Sequence, residues 1–130
     1  MTGAYKHIPE PKRILVIDDE QAVRHVLRDF LASEGYLVIE AADGAQGLNC
    51  LRATCPDVVI LDLMMPRMNG WAFAEECRRM DSCGELPIIA MSAMYDVEWA
   101  AAALRALNVR ACLAKPFDLD VLLEQVALLA

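Results

Sequence analysis

A basic face is what this sequence most plainly lacks. Lys and Arg total 12 against 19 Asp and Glu, for a formal net charge of −7. Nothing is available to neutralise a row of phosphates, which argues against duplex DNA or an anionic membrane as a direct partner. No apolar run approaches the length of a membrane span. The opening stretch Met1–Arg13 holds Lys6, His7, Pro9 and Pro11 but no apolar h-region, so it does not read as a secretory signal. Residues 1–12 read as a short, loosely ordered tail. Linkers, low-complexity tracts and internal repeats are missing as well, and one domain is expected over residues 13–130. Redox and zinc motifs are scarce. The five cysteines, Cys50, Cys55, Cys77, Cys83 and Cys112, form no CxxC, and neither His7 nor His25 stands at metal-ligand spacing from them. They read as free thiols in a reducing cytoplasm, used as small apolar residues.

What is present suffices for a core: 130 residues, 57% hydrophobic and 24% charged, which excludes disorder for most of the chain. Five short apolar runs recur, Ile14–Ile17, Tyr36–Ile39, Val58–Leu61, Leu86–Met91 and Ala111–Ala114. Most are continuously apolar, the pattern of strands covered on both faces, and so of a parallel sheet with helices on either side. Between them lies helical periodicity. Val23, Val26, Leu27, Phe30 and Leu31 form one inward stripe that leaves Arg24, His25 and Arg28 outside. Gly35 is the expected stop of that helix. Further helices are expected over Gln46–Ala53, Gly70–Met80, Asp96–Leu107 and Leu119–Ala130, giving the order (βα)5.

Parallel sheets align the C-terminal ends of all strands on one edge, where open α/β sheets bind ligands. Asp18 and Asp19 follow the first run, Asp62 ends the third, Ser92 follows the fourth and Lys115 the fifth. The second run ends in Glu40 and two alanines, as expected of an outer strand with no part in a central site. Each polar residue has an ordinary explanation: an N-cap for Asp-Asp, a turn for a lone Asp, a cap for Ser, solvent for Lys. Their convergence on one crevice does not. Clustered carboxylates repel unless a cation sits among them, and Mg2+ suits such oxygen donors. A carboxylate is also a competent nucleophile for forming an aspartyl phosphate, with Lys115 and Ser92 placed for the phosphoryl oxygens.

The segments Ile14–Asp19, Pro56–Pro66 with Asn69-Gly70, Pro87–Ala93 and Leu113–Phe117 resemble the receiver domains of two-component response regulators over roughly Lys12 to Ala130. The chain is similar to the stand-alone chemotaxis type. The resemblance implies a doubly wound, flavodoxin-like α/β fold of strand order 2-1-3-4-5. It implies Asp62 as phosphoacceptor, with Asp19, Asp62 and the Met64 carbonyl binding Mg2+ (or Mn2+) directly and Asp18 largely through water. Ser92 becomes the switch hydroxyl, Lys115 its charge partner, and the Lys115–Pro116 bond is expected to be cis. The donor would be a sensor histidine kinase, a phosphotransfer protein or a small molecule such as acetyl phosphate. The protein would be a signalling phosphoacceptor rather than an enzyme acting on other substrates.

Some positions depart from the family's pattern. Cys112 stands where an aromatic residue commonly couples to the switch hydroxyl, which shifts the expected switching onto the backbone of the Ala93–Asp96 loop. Met64 and Met94, lining access to the phosphoryl group, are apolar and poor at orienting a hydrolytic water, so slow self-dephosphorylation is expected. On the Asp96–Leu107 helix, Val97, Ala100, Ala101, Leu104 and Leu107 would face inward. Trp99, Ala103 and Ala106 would face outward, with Val121 on the last helix. Trp99 among alanines suggests docking of a downstream partner, or self-dimerisation, through the face shared by the fourth and fifth helices. Two rival readings are a pseudo-receiver that only binds proteins and a Mg2+-dependent phosphohydrolase. The second would need an acid two residues after its nucleophile, where this chain has Met64.

Overall fold

In the computed structural model, residues 10–65, 69–80, 85–92 and 105–130 are described. The strands are β1 (Arg13–Ile17), β2 (Leu37–Ala41), β3 (Val58–Asp62), β4 (Ile88–Ser92) and β5 (Val109–Ala114). The helices are α1 (Gln21–Ser33), α2 (Gly44–Thr54), α3 (Gly70–Arg79) and α4 (Leu119–Leu129). All five strands are parallel, in the order β2-β1-β3-β4-β5, as the resemblance implies. Most of the expected Asp96–Leu107 helix lies outside the described residues.

Side-chain alternation divides the core into two layers. Ile14, Val16, Val58, Ile60, Ile89 and Met91 face α1 and α4, meeting Leu27, Leu31, Leu122 and Val126. Leu15, Ile17, Val59, Leu61, Ile88 and Ala90 face α2 and α3, meeting Leu48, Leu51, Phe73, Ala74 and Cys77. β3 and β4 are buried along their whole length, which is why their sequences are apolar without alternation. Truncating a fully buried side chain such as Phe73 to Ala costs about 3–5 kcal/mol in such a core.

The helix ends follow local chemistry. Asp43, Asn69 and Asp118 cap α2, α3 and α4, each side chain accepting a backbone N–H of the first turn. α1 stops at Gly35 as expected. That residue has φ +93°, its N–H donates to the Ala32 carbonyl, and the Tyr36 N–H donates to that of Leu31. This paired reversal favours glycine at the left-handed position.

The element bounds differ from the sequence expectation in ways pairing explains. β2 starts at Leu37, not Tyr36, and continues to Ala41 because its ladder with β1 runs from Arg13↔Leu37 to Ile17↔Ala41. β5 starts at Val109 and carries exposed Arg110, which an edge strand can hold at its rim. α2 starts at Gly44 because Asp43 caps it. One inward assignment is corrected: Val26 is 55% exposed. It lines an apolar groove of about 540 Å³ with Val23, Pro116, Phe117 and Leu119, so it faces the gap between α1 and the start of α4 rather than the sheet.

Candidate functional site

Three strand ends and one loop build the crevice. Asp18 follows β1 and is fully buried, while Asp62 closes β3 at 3% exposure. Asp19 is exposed at the mouth. One carboxylate oxygen from each of Asp18, Asp19 and Asp62 lies within 4.8 Å of the others. Lys115 reaches in from the loop after β5, its Nζ 2.8 Å from Asp18 Oδ2 and 3.4 Å from Asp62 Oδ2. Glu20 Oε1 stands 4.0 Å from the same ammonium.

The backbone holds these groups in register. The Met64 N–H donates to Asp62 Oδ1 at 3.0 Å, and the Glu20 N–H donates to Asp18 Oδ1 at 2.9 Å. Ser92 is buried at the end of β4, and its carbonyl accepts the Lys115 N–H at 2.7 Å. The Lys115–Pro116 bond is cis. At α3, a Cβ on Gly70 would lie 2.6 Å from both the Asp62 carbonyl oxygen and the Leu63 Cα. Only glycine lets the helix start so close to the end of β3.

Electrostatics set the two central groups apart. Burial raises the Asp62 pKa; the Met64 N–H opposes the rise, the Asp18 charge adds to it, and Lys115 partly offsets it. Burial works to lower the pKa of Lys115, but its hydrogen bond and charge interaction with Asp18, reinforced by Asp62, outweigh that and raise it. The crevice therefore combines a cation that stays charged with carboxylates under mutual repulsion. Its donor atoms are all oxygen, and a small hard divalent cation fits them.

Residues 14–127 match the family described as the response regulator receiver domain. This chain belongs to that family.

Among its relatives is response regulator MprA of Mycolicibacterium vanbaalenii, 43% identical over 117 residues that make up 89% of this chain and 49% of the relative. The chain thus spans about half the length of the curated relatives it matches. Among solved structures, Vibrio cholerae chemotaxis protein CheY4 superposes with a TM-score of 0.86 at 27% identity, covering 92% of this chain and 99% of that one. Response regulator TrrA of Thermotoga maritima, solved in complex with Mg2+-BeF, gives a TM-score of 0.79 at 33% identity with the same coverage.

Cys112 is half-buried on β5 against the α2–α3 layer, and burial pushes its thiol pKa up. Met64 is 53% exposed beside Asp62. Ala106 and Val121 are exposed. Met94, Trp99 and Ala103, with the Ala93–Asp96 loop, lie outside the described residues. Two residues escaped the sequence reading. Arg24 is not in solvent: its Nη1 donates to the Asp18 carbonyl at 2.6 Å, and its Nε meets Glu40 Oε1 at 3.3 Å. Glu40, set aside as the end of an outer strand, is also paired with Arg28 at 3.0 Å. The available signal was the placement of cations at 24 and 28, one helical turn apart, beside a strand ending in an acid.

Proposed function

We propose that this receiver accepts a phosphoryl group on Asp62 with the help of Mg2+ (or Mn2+) and acts as a phosphorylation-controlled conformational switch that binds a partner. The observation that carries this reading is the convergence of the Asp18, Asp19 and Asp62 carboxylates within 4.8 Å around the Lys115 ammonium. Asp19, Asp62 and the Met64 carbonyl would hold the ion, with Asp18 acting through water. The ion would supply neutralisation of phosphoryl charge.

The reaction itself asks for positioning. An Asp62 carboxylate oxygen forms a bond to phosphorus as the bond from phosphorus to the donor breaks, and the electron pair leaves with the donor: an imidazole nitrogen, or acetate from acetyl phosphate. Lys115 faces one phosphoryl oxygen and the Ser92 hydroxyl donates to another. A histidine kinase or phosphotransfer protein would supply the group in the cytoplasm, where the cysteines remain thiols. The groove lined by Val26 shares Glu20 and Lys115 with the crevice, which supports a protein donor seated there. Output would pass to a downstream protein, or to a second copy, through the face that includes Ala106 and Val121. The receiver unit is taken as residues 13–130, with 1–12 as its tail.

Intact-protein mass after incubation with acetyl phosphate and Mg2+ tests the reading, with Asp62→Asn and metal-free controls. One added phosphoryl group in the wild type alone is the expected result. Slow decay of that mass is expected from the apolar Met64 beside it. No added mass and no binding of beryllium fluoride would leave a pseudo-receiver that works as a protein-binding module.

A further inference from the structure

We propose that Arg24 is a positioning residue for the metal site, clamping the peptide from which Asp19 extends. The inference rests on the cation reading of Asp18, Asp19 and Asp62 given above. Asp18 is held at several points. Its N–H donates to the Ala41 carbonyl at 3.2 Å. Its carboxylate oxygens accept from the Glu20 N–H at 2.9 Å and the Lys115 ammonium at 2.8 Å. Its carbonyl accepts from Arg24 Nη1 at 2.6 Å. That carbonyl belongs to the peptide joining Asp18 to Asp19. Fixing the plane of this peptide fixes the N–Cα bond of Asp19 and so limits the directions in which its exposed side chain leaves the backbone.

Arg24 can do this because it is itself braced. Its side chain is 13% exposed, and its Nε stands 3.3 Å from Glu40 Oε1. The other Glu40 oxygen accepts from Arg28 Nη1 at 3.0 Å. The end of β2 thus holds the guanidinium through Glu40, and the guanidinium holds the turn after β1. A planar fork can satisfy two acceptors in fixed directions, which a lysine ammonium cannot reproduce. The bonds go to a carbonyl and to Glu40, leaving the Asp18 and Asp19 carboxylates to the site.

The sign of one measurement separates this role from its alternative. As a bare positive charge near the site, Arg24 would repel a divalent cation, and removing it would tighten binding. As a clamp, its loss weakens binding, because groups that orient metal ligands typically contribute about 10–100-fold in affinity. Calorimetric titration of Mg2+ into the wild type, Arg24→Gln, Arg24→Lys, Glu40→Gln and the Arg24→Gln/Glu40→Gln double variant, each shown to be folded by circular dichroism, reads that sign. Arg24→Gln is expected to weaken Mg2+ about tenfold, and Arg24→Lys to weaken it less. The double variant should bind no more weakly than Arg24→Gln, since both changes break one chain of contacts. Equal or tighter binding by Arg24→Gln, or an Arg24→Lys variant indistinguishable from wild type, overturns the proposal. Should Arg24→Gln fail to fold, Arg24→Lys, which keeps the charge and removes the fork, decides alone: weaker binding supports the clamp and unchanged binding overturns it. A wild type that binds no Mg2+ removes the cation reading and this inference together.

Discussion

A carboxylate that is 3% exposed beside a fully buried second one is costly to keep ionised, because burial and the like charge both favour its neutral form. Asp62 is in that position, and its pKa is raised. Over the pH window between its ordinary value and this raised one, the folded state holds more protons than the unfolded chain. Stability therefore falls as pH rises through the window and stays lower above it. Lys115 has the opposite arrangement. Its raised pKa gives stability that is complete at neutral pH and is lost only as alkaline pH passes through the folded value. Replacing Asp62 by Asn should remove the first penalty while keeping the 2.8 Å contact of Lys115 with Asp18. In metal-free buffer near pH 7, Asp62→Asn is expected to be more stable than wild type by on the order of 1 kcal/mol, or roughly 3–4 °C in Tm. The difference should shrink as pH falls below the carboxylate range. A variant less stable than wild type at pH 7, in thermal melts without metal, would show that its hydrogen bonds outweigh its charge. The acids and the lysine were legible in the sequence because each follows an apolar run, and a parallel sheet gathers such positions. Arg24 and Glu40 were not: the cations at 24 and 28, one helical turn apart, hinted at a shared acid, but their pairing with Glu40 depends on how α1 lies across β2.

At the scale of elements, the start of α3 determines how rigidly Asp62 is presented. Alanine normally exceeds glycine in a helix by about 0.5–1 kcal/mol. At Gly70 the expected sign is reversed, since the added Cβ would press to 2.6 Å against the Asp62 carbonyl and the Leu63 Cα, both backbone atoms that cannot rotate away. Gly70→Ala is expected to lose about 2 kcal/mol in urea denaturation and to slow phosphorylation by acetyl phosphate at least tenfold. An alanine variant as stable as wild type would mean that the helix moves aside freely. α1 gives a second prediction. Val26 is 55% exposed on the groove beside Lys115, so Val26→Lys should leave acetyl phosphate labelling near wild type while reducing transfer from the cognate phosphohistidine donor at least tenfold. Parallel losses with both donors would place Val26 in the fold rather than in a docking contact. The two helices illustrate what periodicity can and cannot reveal. It located α1 and most of its buried stripe, Leu27 and Leu31 included. It also counted Val26 as inward, because an apolar residue facing a groove is spaced like one facing a sheet. β3 was plain because both of its faces are buried; β4 is buried on both faces too, but runs Ile88–Ser92 rather than the expected Leu86–Met91. The bounds of β2 and β5 were less plain, because at an edge the ladder rather than the apolar run decides where a strand begins.

For the whole molecule, the sheet order β2-β1-β3-β4-β5 changes direction between β1 and β3, and open parallel sheets bind ligands at that reversal. Asp18 and Asp62 stand at the ends of the two strands flanking it. A chain of net charge −7 thus gathers three acids at the edge where topology leaves a crevice, and the metal-free fold carries the burial of Asp62 and its repulsion by Asp18 as lost stability. Binding that occurs only in the folded state should return it by mass action. At a hundredfold excess over its Kd, Mg2+ should add about 2.7 kcal/mol, which in a domain of this size raises Tm by roughly 10 °C. Screening alone would act on every exposed charge and would not require this site. Three thermal melts separate the two effects: wild type with saturating Mg2+, wild type in NaCl of matched ionic strength, and Asp62→Asn with the same Mg2+. The site reading expects the full shift only in the first, and a clearly smaller one when the Asp62 carboxylate is gone. Equal shifts in all three would mean that Mg2+ acts as a general counterion and that the convergence of Asp18, Asp19 and Asp62 has no specific ligand.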